Sequence, residues 1–261
     1  MNNIIILGSG RSGTSMLTGM LANSGFHLGD DFEYLKKNKA NPKGFYEDYE
    51  VNTVNEDILK ETLGSIPEFI RKQLFPSSTF YRARWLARLS ITKNIISSQK
   101  IDNRIASLIN KERFCYKDPR LSYTLPIWQS VIEKNDIRVK YLVVYREPAK
   151  TANSIIRECR ENKALHPLKM DIQKALKVWE LMYSHILKNY NEDENKNNWL
   201  FIHFNQLFTS ETQNKIEDFI GASINKEFPE KKLSRATEST DKVSSKTSLI
   251  YTQLNKFSLY T

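Results

Sequence analysis

Asn3-Ile4-Ile5-Ile6-Leu7-Gly8-Ser9-Gly10-Arg11-Ser12-Gly13-Thr14-Ser15 is the stretch that decides how this chain is read. Its first five residues are almost wholly apolar, the pattern of a parallel strand buried on both faces. Three glycines break the run, and Met16, Leu17, Met20 and Leu21 then recur at helical spacing. Strand, glycine turn and helix in succession make an anion site. Backbone N–H groups converge at such a turn, and the helix N-terminus carries partial positive charge.

Three phosphate ligands compete for the turn. Gly8, Gly10 and Gly13 match the dinucleotide spacing G-x-G-x-x-G, which also needs an acid ending a second strand about 20 residues on. Asp30 and Asp31 stand near that distance, but residues 25–29 (Gly-Phe-His-Leu-Gly) make a poor core strand. Gly8 and Gly13 also have the Walker A spacing, in which a lysine should follow the last glycine. Thr14 stands there, so a nucleoside triphosphate loses its bridging ammonium, and no Asp is obviously placed for Mg²⁺. The cation sits inside the loop instead, at Arg11. A single 5′-phosphate bearing one transferable group suits that arrangement, with Arg11 neutralising it and the amides of Ser12, Gly13, Thr14 and Ser15 around it.

Outward from the turn, strands alternate with helices. Residues 113–117, 139–145 and 199–204 are further strand candidates, and residues 172–187 trace a long amphipathic helix. Residues 209–220 read as a helix ended by Gly221, and a last short helix falls near residues 250–257. Residues 50–111 read as a helical insertion broken at Pro67 and near Pro76. Residues 225–261 begin as a polar, basic tail in which Arg235 and Lys246 are candidates to close over a ligand. The expectation is one α/β domain over residues 1–261, with an open parallel sheet covered by helices on both faces in three layers.

Three later segments carry a family resemblance together with the loop. Gly10-Arg11-Ser12-Gly13-Thr14-Ser15 resembles the 5′-phosphosulfate loop of sulfotransferases. Val143-Val144-Tyr145-Arg146 is a strand end with Ser154 eight residues further on, which resembles the 3′-phosphate site of the same family. Tyr116-Lys117-Asp118-Pro119-Arg120 resembles the Lys-Asp-Pro motif that several of its branches carry, and residues 41–48 resemble a Gly-aromatic-Glu segment of many bacterial members. The resemblance implies a P-loop-containing nucleotide-hydrolase-like fold. It also implies sulfuryl transfer from 3′-phosphoadenosine 5′-phosphosulfate (PAPS), leaving 3′-phosphoadenosine 5′-phosphate (PAP). Arg11 to Ser15 would hold the 5′-phosphosulfate, while Arg146 and Ser154 would hold the 3′-phosphate. Lys117 would meet the oxygen between sulfur and phosphate as charge builds on it. A nucleotide-dependent kinase and a non-catalytic nucleotide-binding module are the alternatives.

An acceptor must also lose a proton. Glu47 is the first candidate for the base, Asp48 the second, and Asp118 stays open. The four histidines show no metal-site spacing, and two cysteines form neither a disulfide framework nor a four-thiolate site. No run approaches the roughly 18 apolar residues of a membrane span. The N-terminus lacks a basic segment and a long apolar one, so a cytoplasmic location is expected. The net charge of +9 favours an anionic acceptor such as a glycan or glycolipid, although a small alcohol or phenol fits equally well, and no nucleic-acid partner is expected.

Overall fold

The computed structural model describes residues 2–37, 41–64, 83–230 and 241–260. Four strands form one sheet: β1 (Asn3–Leu7), β2 (Cys115–Lys117), β3 (Val139–Tyr145) and β4 (Trp199–His203). The order is β2-β1-β3-β4 and every pair is parallel. The expected second strand is shorter than its apolar run. Phe114 makes only an isolated bridge, with His27, and the His27 carbonyl takes the Cys115 N–H at 2.8 Å. The glycine-flanked segment around His27 thus serves as a scrap of edge pairing rather than a full strand.

Strand alternation sorts the core. Ile5 and Leu7, Tyr116, Tyr141 and Val143, and Trp199 and Phe201 point to one face of the sheet. Ile4 and Ile6, Cys115, Leu142 and Val144, and Leu200 and Ile202 point to the other. A period of 2 with apolar residues at both phases buries both faces, so helices must cover each. Helices α2 (Tyr49–Gly64), α3 (Gln99–Ile109), α4 (Leu121–Lys134), α6 (Ile172–Glu192) and α8 (Ser245–Ser258) supply the first layer. Helices α1 (Thr14–Leu21) and α7 (Ser210–Ile220) supply the second. Helix α5 (Pro148–Glu161) packs with α6 and the residue 83–89 segment in a third apolar cluster. Gly221 closes α7 in the left-handed region (φ 69°), and the Asp171 and Thr209 side chains cap α6 and α7.

Of the expected helical insertion, α2 and α3 are present, residues 87–98 are irregular, and Pro67 and Pro76 lie outside the described residues. Within the basic C-terminal segment, α8 packs Ile250 and Leu254 into the first apolar layer beside β4. No helix among the described residues is long and apolar enough to cross a membrane.

The turn after β1 depends on glycine at two points. Gly8 has φ 148°, and a Cβ there would fall 2.3 Å from the Val144 carbonyl oxygen of the neighbouring strand. Gly13 has φ 104°, and a Cβ would meet the Phe204 ring at 2.5 Å. Gly13→Ala is expected to lower unfolding free energy by about 2 kcal/mol through backbone strain and the ring clash. Gly64→Ala, with nothing within 4 Å of its added carbon, should change it by less than about 1 kcal/mol. Urea unfolding of both variants checks the contrast.

Candidate functional site

The site is built on the carboxyl ends of β1, β2 and β3, where ligands bind in open parallel sheets. After β1 the loop folds back on itself. The Ser12 hydroxyl donates to the Ser9 carbonyl at 2.6 Å, and the Ser9 N–H donates to the Tyr183 hydroxyl at 3.3 Å. Tyr183 in turn donates to the Val144 carbonyl at 2.7 Å, pinning the loop to β3. The Ser12 side chain therefore shapes the loop rather than facing a ligand. Arg11 sits at φ 72°, an unfavoured conformation for a side-chain-bearing residue and typical of ligand loops. Gly13 caps α1 without any side-chain hydrogen bond. The first-turn amides of such a helix have no partner of their own, so they suit a phosphate oxygen.

Ser15, at the start of α1, links the loop to β2. Its hydroxyl oxygen accepts from the Lys117 ammonium at 3.2 Å and from the Asn41 amide at 3.2 Å. Lys117 ends β2 with a side chain only 1% exposed, and its Nζ lies 2.5 Å from Glu47 Oε1. The Asn52 amide, one turn into α2, holds the other Glu47 oxygen at 3.0 Å and the Tyr34 hydroxyl at 2.6 Å. Burial pulls the Lys117 pKa down and the Glu47 carboxylate opposes it. Burial, with Glu47 and Asp118 adding to it, pushes the Tyr34 phenol far up. The chain thus assembles Arg11, Thr14, Ser15, Glu47 and Lys117 around one cleft of about 320 Å³.

The other two acids named from sequence are held differently. Asp48 accepts from the Glu50 and Val51 amides at the start of α2 (both 3.0 Å) and from the Asp31 amide (3.0 Å). It is a helix cap and a loop clamp. Asp118 accepts from the Arg120 amide (2.9 Å), the Arg120 guanidinium (2.8 Å) and Asn55 (3.0 Å), with no side-chain exposure. Burial lifts its carboxyl to about 6 against the pull of Arg120. Neither faces the cleft, whose lining includes Glu47 but not Asp48 or Asp118.

Arg146 and Ser154 do not line this cleft; they adjoin Arg11. Arg11 Nε donates to the Ser154 hydroxyl at 3.1 Å, which leaves the serine O–H to donate elsewhere. The Arg146 guanidinium lies 4.2 Å from the centre of the Phe204 ring. Its pKa is lowered by burial and further by Arg11, while Glu147 opposes both. Two guanidinium groups and a serine hydroxyl thus stand near one another on the Arg11 side of the loop. Arg235 lies outside the described residues, and Lys246 sits 3.6 Å from Glu180 rather than at the cleft.

Four site residues escaped the sequence reading. Asn41 orients Ser15, and Asn52 orients Glu47. Trp85 lines the cleft and lies against Gly10, where an added Cβ would meet the indole at 2.4 Å. Glu158 sits one turn beyond Ser154 with Oε2 3.7 Å from Arg11 Nη1, too long for a hydrogen bond. That oxygen is buried without a hydrogen-bond partner. Only the i+4 spacing of Glu158 after Ser154 on a helix signals its position in the sequence.

Residues 1–261 match the family model for the sulfotransferase domain. Among solved structures, the chain is similar to the sulfotransferase domain from the curacin biosynthetic pathway. The identity is 15%, with 97% of each chain covered and a TM-score of 0.54. It is also similar to the sulfotransferase domain from the Synechococcus PCC 7002 olefin synthase, at 16% identity. That match covers 97% of this chain and 94% of the other, with a TM-score of 0.54. At such identities the likeness establishes a shared fold. No curated protein matches the chain.

The buried Lys117–Glu47 pair yields a direct test. Lys117→Met leaves a carboxylate without its counter-charge and is expected to cost about 3 kcal/mol of stability. The double variant Lys117→Met, Glu47→Met should recover at least about half of that loss, because no lone charge remains. A double-mutant cycle by urea unfolding measures the coupling.

Proposed function

The chain belongs to the sulfotransferase domain family, and on that footing we propose that it moves a sulfuryl group from PAPS to an acceptor hydroxyl or amine, in a reaction carried by residues 1–261 acting as one domain. One observation supports this reading above the others: Lys117 Nζ lies 3.2 Å from Ser15 Oγ and 2.5 Å from Glu47 Oε1. That contact joins the anion loop, a buried cation and a carboxylate in a single constellation.

PAPS supplies the activated sulfur–oxygen bond; the chain's residues supply position, charge and a proton acceptor. Arg11 and the first-turn amides of Gly13, Thr14 and Ser15 hold the 5′-phosphosulfate, with Thr14 and Ser15 hydroxyls as further donors. Arg146 and Ser154 hold the 3′-phosphate, the guanidinium by charge-assisted hydrogen bonds and the serine by its remaining O–H. Glu47 accepts the proton as the acceptor oxygen bonds to sulfur. The sulfur–oxygen bond to the phosphate breaks, and the electron pair stays on the departing bisphosphate. Lys117 faces that growing charge with a hydrogen bond that strengthens as the bond breaks, which is electrostatic stabilisation of the transition state. The Glu47 carboxylate opposes the pull of burial on the Lys117 ammonium, and holding both reactants in line lowers the entropic barrier.

Glu47 is assigned the base because it alone of the three acids lines the cleft, while Asp48 and Asp118 are engaged in structural hydrogen bonds. Reaction in the cytoplasm is part of the proposal. It rests on two free, buried cysteines, which suit a reducing compartment.

The test begins with binding. PAP at 100 times its dissociation constant should add about 2.7 kcal/mol of stability. AMP, ATP-Mg²⁺ and NAD at equal concentration should add much less, and Arg146→Ala should abolish the difference. Stabilisation by ATP-Mg²⁺ or NAD instead of PAP would sink the reading. Glu47→Gln is expected to keep PAP stabilisation and to lower kcat on an accepted substrate by about 10²–10⁴-fold. An unchanged kcat would remove Glu47 from the role of base.

A further inference from the structure

We propose that Tyr46 and Phe228 are positioning residues for Glu47: together they hold the backbone turn that aims its carboxylate at Lys117. The proposal rests on the reading of Glu47 as the base. Glu47 sits between two residues that are fixed for different reasons. After it, the Asp48 carboxylate is held by three backbone amides. Before it, Tyr46 has φ 52°, in the left-handed region, where a bulky side chain crowds its own backbone. Such a conformation persists only where the surroundings over-determine it. Phe45 and Glu47 line the cleft, whereas Tyr46 between them packs against the second apolar layer. Its ring meets two others there. Phe32 stacks on it with centroids 6.5 Å apart, and Phe228 stands T-shaped to it at 5.9 Å.

Phe228 is itself seated. Gly19 lies late in α1, and a Cβ there would fall 2.2 Å from the Phe228 ring. A glycine inside a helix weakens it relative to alanine, and this one has that ring as its reason. The Asn225 N–H donates to the Met20 carbonyl at 2.9 Å, which ties the chain before Phe228 to the end of α1. From the other side, Lys43 donates to the Phe228 carbonyl, holds its Nζ 4.4 Å from the ring centre and pairs with Glu230 at 2.8 Å. Lys43 and Tyr46 stand on either side of Gly44, so the turn before Glu47 is gripped at both ends.

One helix therefore serves both partners of the ion pair. Ser15 at the start of α1 accepts from the Lys117 ammonium, and Gly19 of the same helix seats the ring that holds the turn before Glu47. Neither Tyr46 nor Phe228 lines the cleft, so both act through Glu47. A carboxylate 2.5 Å from a buried ammonium leaves little room for error, and small misplacements are what cost rate in an oriented site.

The experiment reads the Lys117–Glu47 coupling itself. The urea-unfolding cycle of Lys117→Met and Glu47→Met is repeated in the full chain carrying Phe228→Ala, Gly19→Ala or Tyr46→Phe. Phe228→Ala should lower the coupling by at least about half. Gly19→Ala displaces the same ring while removing nothing, and should lower the coupling in the same way. Tyr46→Phe keeps the ring and should keep the coupling. PAP stabilisation draws on Arg11, Arg146 and Ser154 in the proposed reaction and should persist in all three. A Phe228 that is merely structural would lower total stability with the coupling intact, and that result overturns the proposal. Full coupling in Gly19→Ala overturns it too, which decides the matter where Phe228→Ala does not fold. Loss of coupling in Tyr46→Phe also overturns it, because the ring contacts would then not be what holds Glu47. Absence of PAP stabilisation in the unaltered chain overturns the donor reading instead, so the two failures are distinguishable.

Discussion

Six buried charges, three of each sign, stand behind the cleft, and their mutual neutralisation is the constraint on which the site depends. Glu56 on α2 receives Arg84 at 2.5 Å and Arg120 at 2.6 Å; Arg120 also holds Asp118 at 2.8 Å, and Lys117 holds Glu47 at 2.5 Å. Any one of them alone would be expensive to bury, since an uncompensated interior charge costs several kcal/mol. Together they lock parts of the chain far apart in sequence: the segment before α2, α2 itself, residue 84, and the end of β2. The polar interior of this protein is thus a registration device. It fixes where α2 stands over the sheet, and so where Glu47 stands relative to Lys117.

The apolar interior then sets the opposite limit. Because β1, β3 and β4 bury side chains on both faces, the strands cannot slip by one residue without exchanging the two cores. A fixed register places Leu7, Lys117 and Tyr145 at one end of the sheet, where the three following segments converge. The Tyr183 hydroxyl, donating to the Val144 carbonyl and accepting from the Ser9 amide, stitches the loop to β3 at that same end. The anion loop is therefore anchored to rigid strands rather than left to its own flexibility, which is the condition for electrostatic preorganisation.

Local chemistry was legible in the sequence, and tertiary chemistry was not. The glycine turn announces itself because Gly8 and Gly13 answer backbone demands set within a few residues and by the adjacent strand. The four strands and the long α6 follow from apolar periodicity alone. Lys117, Glu47, Arg146 and Ser154 were found only because motifs place them, and the structure brings the first pair together and sets the second beside Arg11. What could not be read was each residue's partner. Asp48 and Asp118 look as capable of proton transfer as Glu47 until their hydrogen bonds are seen, since the Asp48 clamp on the Asp31 amide and the Asp118 bond to Asn55 leave no trace at short range. Asn41 and Trp85 are invisible for the same reason: their roles arise from contacts such as Asn41 to Ser15, 26 residues away. The irregular path of residues 87–98 was likewise missed, because their apolar residues satisfy a neighbouring cluster without any helical period.

In the proposed reaction the buried Lys117–Glu47 pair serves catalysis without being a store of stability. An ammonium has three hydrogens and no acceptor. One is directed to Glu47 and one to Ser15, so the third can face the loop without breaking either bond. Burial pulls the lysine toward its neutral form, and the Glu47 carboxylate opposes that pull. If Lys117 were exposed instead, solvent would screen its charge and weaken its grip on a developing anion. The arrangement meets both requirements. The carboxylate opposes the loss of the lysine's charge, burial keeps that charge strong, and Ser15 fixes its direction toward the phosphate end of the cleft. In the proposed reaction that third hydrogen meets the negative charge that grows on the departing oxygen. The pair thus sets, in that reaction, the cation that meets departure beside the carboxylate that takes up the acceptor proton.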